Sequence, residues 1–267
     1  MVEKFPVPFP HAIVAIDKSG APLWEQGDLT QRFHFASVTK LLTALGAHLA
    51  VQDGLLSLVQ PAGPEESTVA HLLAHASGLG PEGDGTRVVS RVGTRRVYSD
   101  QGYEVLGGVV AEATENPRWT QERLLEPLGA EGITIDGSPA WAGVGSAADL
   151  SLVLQELLDP ELLSPGTYDA FTAPAFPSLR GVLPGYGSQE RNLWGLGPEI
   201  RDQKEPHWTG TLASPETFGH FGVSGSYLWV DPAREMGALF LGQMPFGDWH
   251  KEHWGDLNDR IIRASGR

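Results

Sequence analysis

The sequence predicts an α/β fold: an antiparallel sheet built from the two ends of the chain, flanked by N- and C-terminal helices, with a mostly helical lobe inserted between them. Two observations predict this. Strand signals gather before residue 36 and again after residue 217, and the stretch between them carries helical periodicity punctuated by Pro and Gly. With 267 residues, 41% of them hydrophobic and 19% charged, the chain holds enough apolar material for one large domain. The expected partition of that single domain, 1–267, is a sheet lobe of about 1–54 and 205–267 and a helical lobe of about 55–204.

The elements follow in order. His11 to Asp17 is a short apolar run, Lys18-Ser19-Gly20 is a turn, and Leu23-Trp24-Glu25 completes a hairpin. From Val38 to Val51, apolar residues at 38, 41, 42, 45 and 49 approach the 3.6-residue period of an amphipathic helix that stops at Asp53-Gly54, with Ser37 at its N-terminus. Helical patches recur at Val69 to Ala76, Gly102 to Glu115 and Ala147 to Leu158, joined by connectors such as Gly80-Pro81-Glu82-Gly83-Asp84-Gly85. Ser226 to Val230 and Gly237 to Leu241 then flank the loop Asp231 to Glu235, and Trp254, Leu257 and Ile261 line one face of a C-terminal helix. One sheet edge is expected to be exposed, which permits a homodimer.

Composition narrows the chemistry. Without cysteine there is no disulfide framework, thiol nucleophile or thiolate metal site, so covalent chemistry falls to Ser, Thr, Lys or a carboxylate. A formal net charge of -14 and no basic run longer than Arg95-Arg96 argue against nucleic acid as a partner. No apolar run reaches the roughly 18 residues a membrane helix needs, and Pro6, Pro8 and Pro10 interrupt any secretory signal, so the expectation is a cytoplasmic protein with no membrane partner.

Three motifs carry chemistry. Ser37-Val38-Thr39-Lys40 is an S-x-x-K box, in which positions i and i+3 of a helical turn share a face, so Lys40 can reach the Ser37 hydroxyl. A desolvated amine there can accept the hydroxyl proton, and the helix start offers free N–H groups to a developing oxyanion. Such a box arises readily by chance, and an ordinary helix start is its bland reading. Tyr98-Ser99-Asp100 precedes a helix; a phenolate near a lysine could relay a proton if its pKa is depressed, whereas a core tyrosine is the alternative. His220-Phe221-Gly222-Val223-Ser224-Gly225 opens a strand expected at the sheet edge, where Gly222 lets backbone approach a ligand and the Val223 N–H could join that of Ser37 around an oxyanion.

In this order the three boxes resemble those of the penicillin-recognising serine hydrolases, in the class C β-lactamase-like branch that also holds esterases, D-aminopeptidases and transacylases. Arg32 to Lys40 resembles that branch's nucleophile segment, His71-Leu72-Leu73-Ala74-His75-Ala76-Ser77-Gly78-Leu79 its H-L-L-x-H-x-S-G-L signature, and Gly143 to Leu150 its G-x-x-S-x-x-D-L helix entry. The resemblance spans about 30 to 242 and implies a β-lactamase/transpeptidase-like fold. It also implies Ser37 as nucleophile, Lys40 as its base, Tyr98 as relay and His220 in place of the lysine of a K-T-G box. No cofactor and no metal are implied.

Two departures bear on activity. Asp100 replaces the usual Asn of Y-x-N; when ionised it only accepts hydrogen bonds, and close to Lys40 it would raise the pKa of the base. His220, largely neutral at pH 7, holds a substrate carboxylate less strongly than lysine. The reading is therefore a serine hydrolase passing through a Ser37 acyl-enzyme on an uncharged small-molecule ester or amide, foremost an esterase. A β-lactamase or D-alanyl peptidase, and a non-catalytic ligand-binding module with a degenerate Y-x-N box, stand as alternatives. His71 and His75 have metal-pair spacing but no HExxH glutamate, so structural roles are expected; His250 and His253 are expected on a solvated helix face. Trp194, Trp208 and Trp229 are expected in the core, with one or two tryptophans free to line an acyl pocket.

Overall fold

The computed structural model describes residues 4–83 and 87–266, so Met1 to Glu3 and the Asp84-Gly85 end of the first connector lie outside the described residues. Six strands form one antiparallel sheet: β1 His11–Asp17, β2 Pro22–Gly27, β3 Glu199–Ile200, β4 Phe218–Gly222, β5 Ser226–Asp231 and β6 Met236–Gly242, in the order β2-β1-β6-β5-β4-β3. The predicted sheet from both chain ends is therefore present. Its N-terminal hairpin turns at Gly20, whose φ of 80° suits glycine, while the Asp17 carboxylate accepts from the N–H groups of Ser19 and Ala21.

The sheet is buried on both faces, because alternate residues of each strand serve different cores. Ala12, Val14, Ile16, Leu228, Val230, Leu239 and Leu241 pack toward the helical side. Ile13, Ala15, Tyr227, Trp229, Ala238 and Phe240 pack with Trp254, Leu257 and Ile261 of the C-terminal helix Asp248–Ser265. Asn258 of that helix sits inside the second core, where its side-chain oxygen accepts from Tyr227 Oη (2.6 Å) and Trp229 Nε1 (3.0 Å). Trp194, Trp208 and Trp229 are buried as expected.

On the other face lie α1 Thr39–Gln52, α2 Val69–Leu73, α3 Asp100–Thr114, α4 Ala147–Leu158 and α5 Pro165–Thr172. The sequence read α1 as amphipathic; instead every residue from Thr39 to Ala50 is buried, since α3, α5, the turn Gln121–Leu125 and the sheet enclose it. Its polar residues are consequently partnered: Thr39 Oγ1 accepts from Gly143 N (2.9 Å), Thr43 donates to Pro139 O (2.7 Å), and His48 Nε2 donates to Leu196 O (2.8 Å). Short strands complete the fold: Arg32–His34 and Thr134–Ile135 pair with Gly143–Ser146, and Gly181–Leu183 forms a hairpin with Gly187–Gln189. No helix among the described residues is long and apolar enough to cross a membrane.

Candidate active site

Ser37 does not begin the long helix, as its spacing suggested; it sits in a 3-10 turn, Ala36–Val38, that leads into α1. The residue before it, Ala36, has a φ of 46°, a left-handed conformation that costs a non-glycine residue of order 1 kcal/mol and persists only where surroundings hold it. They do so from two sides. Phe35 N donates to Gly143 O (2.8 Å), and Ser226 Oγ of β5 donates to Phe35 O (2.7 Å). Gly222, at the end of β4, completes the clamp: a β-carbon there would stand 3.0 Å from the Ala36 β-carbon and 2.8 Å from Ser226 Oγ. Only glycine lets this strand reach the serine turn.

One helical turn on, Lys40 is wholly buried and its Nζ makes three contacts: 2.6 Å to Asp100 Oδ1, 2.9 Å to Ala140 O and 3.4 Å to Ser37 Oγ. Asp100 is delivered from sixty residues away by the α3 N-cap. Ser99 Oγ accepts from Gly102 N (3.0 Å) and donates to Gly80 O (2.6 Å), fixing the turn that aims Asp100 at the lysine. Burial pulls the Lys40 ammonium below the ordinary lysine range, and the Asp100 carboxylate offsets part of that fall. The anticipated rise from Asp100 is thus present but smaller than the desolvation that opposes it.

Tyr98 lies beside this pair, with Lys40 Nζ 4.8 Å from its ring centroid. Its ring is half-buried, but its hydroxyl is shielded from solvent and lacks a partner at hydrogen-bond distance among the described residues. The expected phenolate is corrected here. Burial first, and the nearby Asp100 charge second, hold Tyr98 well above the usual phenol range, although the adjoining Ser37 hydroxyl acts the other way. Tyr98 is a neutral phenol, a proton donor rather than a resting base.

Ser37, Tyr98, His220 and Val223 line one cleft of about 40 Å³, which Leu183, Pro184, Trp194, Glu199 and Phe221 close. His220, on β4, turns its Nδ1–H to Phe221 O (2.7 Å), leaving a bare, unpartnered Nε2 on the buried side. Burial and the Lys40 charge push its pKa down to about 3, so it is neutral. Contrary to the expected edge position, β4 has neighbours on both sides, yet β3 pairs only with its first two residues, Phe218 and Gly219. The His220–Gly222 stretch therefore faces the cleft. Val223 is 65% exposed and forms the rim.

The sequence reading missed two contributors, the Ala140 carbonyl and Glu199, and gave His75 a structural role that the structure bears out. The Ala140 carbonyl on Lys40 has no side-chain signature at all. His75, in the left-handed region with a φ of 53°, accepts from Ser99 N (3.1 Å) and lies against the rings of Tyr98 (4.5 Å) and Trp194 (4.7 Å), so it backs the tyrosine; burial holds it neutral. Glu199, fully buried in the cleft wall, accepts from Lys204 Nζ (2.9 Å), His207 Nε2 (3.0 Å) and Trp208 Nε1 (2.7 Å). Burial alone would raise its carboxyl, but Lys204 and His207 outweigh that and keep it ionised. A sequence hint existed for this cluster only in the close spacing of Lys204, His207 and Trp208. His71, by contrast, closes a capping box with Thr68, the structural role expected of it. His250 corrects the sequence reading: it is wholly buried against Phe246 and Trp254, because that helix face packs on the sheet.

The fold defines the class: a β-lactamase-fold protein. A family model described as Beta-lactamase matches residues 14–255, and the chain belongs to that family. The crystal structure of a β-lactamase from Mycobacterium bovis is 41% identical, with a TM-score of 0.94, covering 98% of this chain and 96% of that one. Simvastatin synthase from Aspergillus terreus, as a mutant, shares the fold at 19% identity and a TM-score of 0.76, over 95% of this chain and 90% of its own. Among curated proteins, one named as a D-alanyl-D-alanine carboxypeptidase from Escherichia coli O157:H7 is 25% identical over 212 residues, 57% of this chain and 46% of that protein. The chain thus spans less than half the length of that relative.

Proposed function

We propose that the chain is an esterase-type serine hydrolase acting through an acyl-enzyme on Ser37. The observation that carries this reading is the meeting of Ser37 and Tyr98 at one cleft with Lys40 buried beside them, its Nζ 3.4 Å from the serine hydroxyl and 4.8 Å from the Tyr98 ring centroid. Unprotonated Lys40 accepts the Ser37 proton as Oγ bonds to the substrate carbonyl carbon. The N–H groups of Ser37 and Val223 receive the oxyanion. Collapse breaks the bond to the leaving alkoxide, which takes a proton from neutral Tyr98, and Tyr98 is reprotonated from Lys40. Water then attacks the acyl-Ser37 ester, releasing a carboxylic acid and restoring the hydroxyl.

Neutral His220 supports an uncharged substrate, since it offers no cation to a carboxylate. A second reading, a D-alanyl peptidase or β-lactamase, draws on the names of the E. coli and M. bovis relatives. Hydrolysis of p-nitrophenyl acetate compared with nitrocefin separates the two, and a clear nitrocefin preference overturns the esterase. A fluorophosphonate probe tests the common premise: labelling is expected on the native chain and lost in Ser37→Ala, whereas an unlabelled native chain indicates a binding module.

A further inference from the structure

We infer that Thr43 and Ser138 are positioning residues for the base: by fixing the Ala140 carbonyl on Lys40, they leave the lone pair of the neutral amine facing Ser37. This rests on the reading of Ser37 as the acylated residue and Lys40 as its base. An ammonium carries three N–H donors, so the neutral amine carries two and one lone pair. Lys40 Nζ has three partners: Asp100 Oδ1 at 2.6 Å, Ala140 O at 2.9 Å and Ser37 Oγ at 3.4 Å. A carbonyl and a carboxylate only accept, so those two take both hydrogens of the amine. Ser37, the one partner with a proton to give, meets the lone pair. As Oγ bonds to the substrate carbonyl carbon its proton moves to Nζ, and the ammonium so formed has an acceptor already in place for each N–H. Neither protonation state requires the side chain to turn. Without the Ala140 carbonyl, rotation about the last carbon–nitrogen bond would carry the lone pair away from the serine.

The carbonyl is held from two helices. From α1, Thr43 Oγ1 donates to Pro139 O (2.7 Å). From the α3 side, Ser138 Oγ accepts from Ala140 N (3.1 Å) and donates to Glu104 Oε1. The two hydroxyls thus grip the oxygen and nitrogen ends of one peptide unit, Pro139–Ala140, immediately before the carbonyl that Lys40 uses. Further on, Ser138 O accepts from Ala142 N (2.9 Å) and Thr39 Oγ1 accepts from Gly143 N (2.9 Å), which closes the turn over Lys40. Gly107 lets α3 lie against it, since a β-carbon there would stand 2.6 Å from Pro139 Cγ. Thr43 and Ala140 are buried, and neither Thr43 nor Ser138 lines the cleft that holds Ser37. Both hydroxyls therefore act through the Ala140 carbonyl rather than on substrate.

The test is the pH profile of kcat/KM for p-nitrophenyl acetate on the intact protein, in Thr43→Val and independently in Ser138→Ala, beside the rate of fluorophosphonate labelling. Both quantities report removal of the Ser37 proton. The plateau of kcat/KM should fall about tenfold or more in each variant, with the labelling rate in parallel, since a misplacement of about 1 Å can cost 10²-fold. The acidic limb should move to lower pH, because the carbonyl stabilises the ammonium more than the amine. Thr43→Ser and Ser138→Thr keep a hydroxyl and should recover most of the loss. A merely structural role predicts the opposite shift of the limb: loosened packing admits water to Lys40, relieves its desolvation and raises its pKa. A labelled native enzyme whose plateau holds in both deletions, whose limb moves to higher pH in both, or whose loss neither hydroxyl-bearing variant recovers, overturns the positioning alone. A native chain that neither labels nor turns over any ester overturns the acyl-enzyme reading, and this inference with it.

Discussion

Lys40 lies 2.6 Å from Asp100, a closer contact than its 3.4 Å approach to Ser37. The ammonium is thus shared between a residue that keeps it charged and one that needs it neutral. Burial favours the neutral amine and Asp100 the charged one, with burial the larger effect. Activity should rise with pH as Lys40 loses its proton. Replacing Asp100 with Asn removes the anion, so the Lys40 pKa falls and the acidic limb of the kcat/KM profile moves to lower pH. A limb that stays in place in Asp100→Asn would mean that another group governs it.

Tyr98 is held as a phenol by its burial and by Asp100, which suits it to protonate a leaving group. Tyr98→Phe keeps the ring packed against His75 and under Lys40 while deleting the hydroxyl. The expected loss is about 10²- to 10⁴-fold in kcat, with KM changed far less. Esters with good leaving groups such as p-nitrophenol should suffer less than alkyl esters. An equal loss on both would remove Tyr98 from the proton path.

The site was legible in the sequence where chemistry follows local spacing. The i, i+3 relation of Ser37 and Lys40 needs only one turn, and the strand hairpins announce themselves by alternating apolar residues and turn glycines. What depends on distant backbone was not legible. The Ala140 carbonyl, the His75 platform and the Glu199 cluster are placed by folding of segments up to a hundred residues apart. The all-round burial of α1 was also hidden, because Lys40, Thr43 and His48 read as a polar face until their partners arrive from elsewhere. For the same reason His250, polar in sequence, proved to belong to the core.

Gly222 is where two distant segments meet at the serine turn. A methyl group there stands 3.0 Å from the Ala36 β-carbon and 2.8 Å from Ser226 Oγ, so Gly222→Ala must push β4 off the Phe35-Ala36 backbone. Overpacking of this kind costs about 1–3 kcal/mol. Because Val223 is the next residue, the displacement should also lower kcat by tenfold or more through the oxyanion N–H. Thermal unfolding and steady-state kinetics on the same preparation check both effects; a variant equally stable and equally active would show that the contact is not constraining.

Four histidines are buried and neutral with no carboxylate bonded to them: His48 and His250, held at about 4 by burial, His220, held at about 3, and His75, held well below its ordinary value. In the unfolded chain each titrates near 6.5. Above that pH both states are neutral and the four contribute no slope. Below it the unfolded state takes up protons that the native state refuses, so stability is lost as pH falls, by up to ~1.4 kcal/mol per pH unit for each histidine and ~5.5 kcal/mol per unit for all four. The window runs from about 6.5 down to about 4, where native His48 begins to accept its own proton. Urea midpoints taken between pH 6.5 and 5, above the carboxylate range, should therefore fall steeply. His48→Gln, which retains a donor for Leu196 O, should make that fall about one quarter shallower. A midpoint independent of pH across the window would show that these imidazoles gain protons as readily inside the fold as in the unfolded chain.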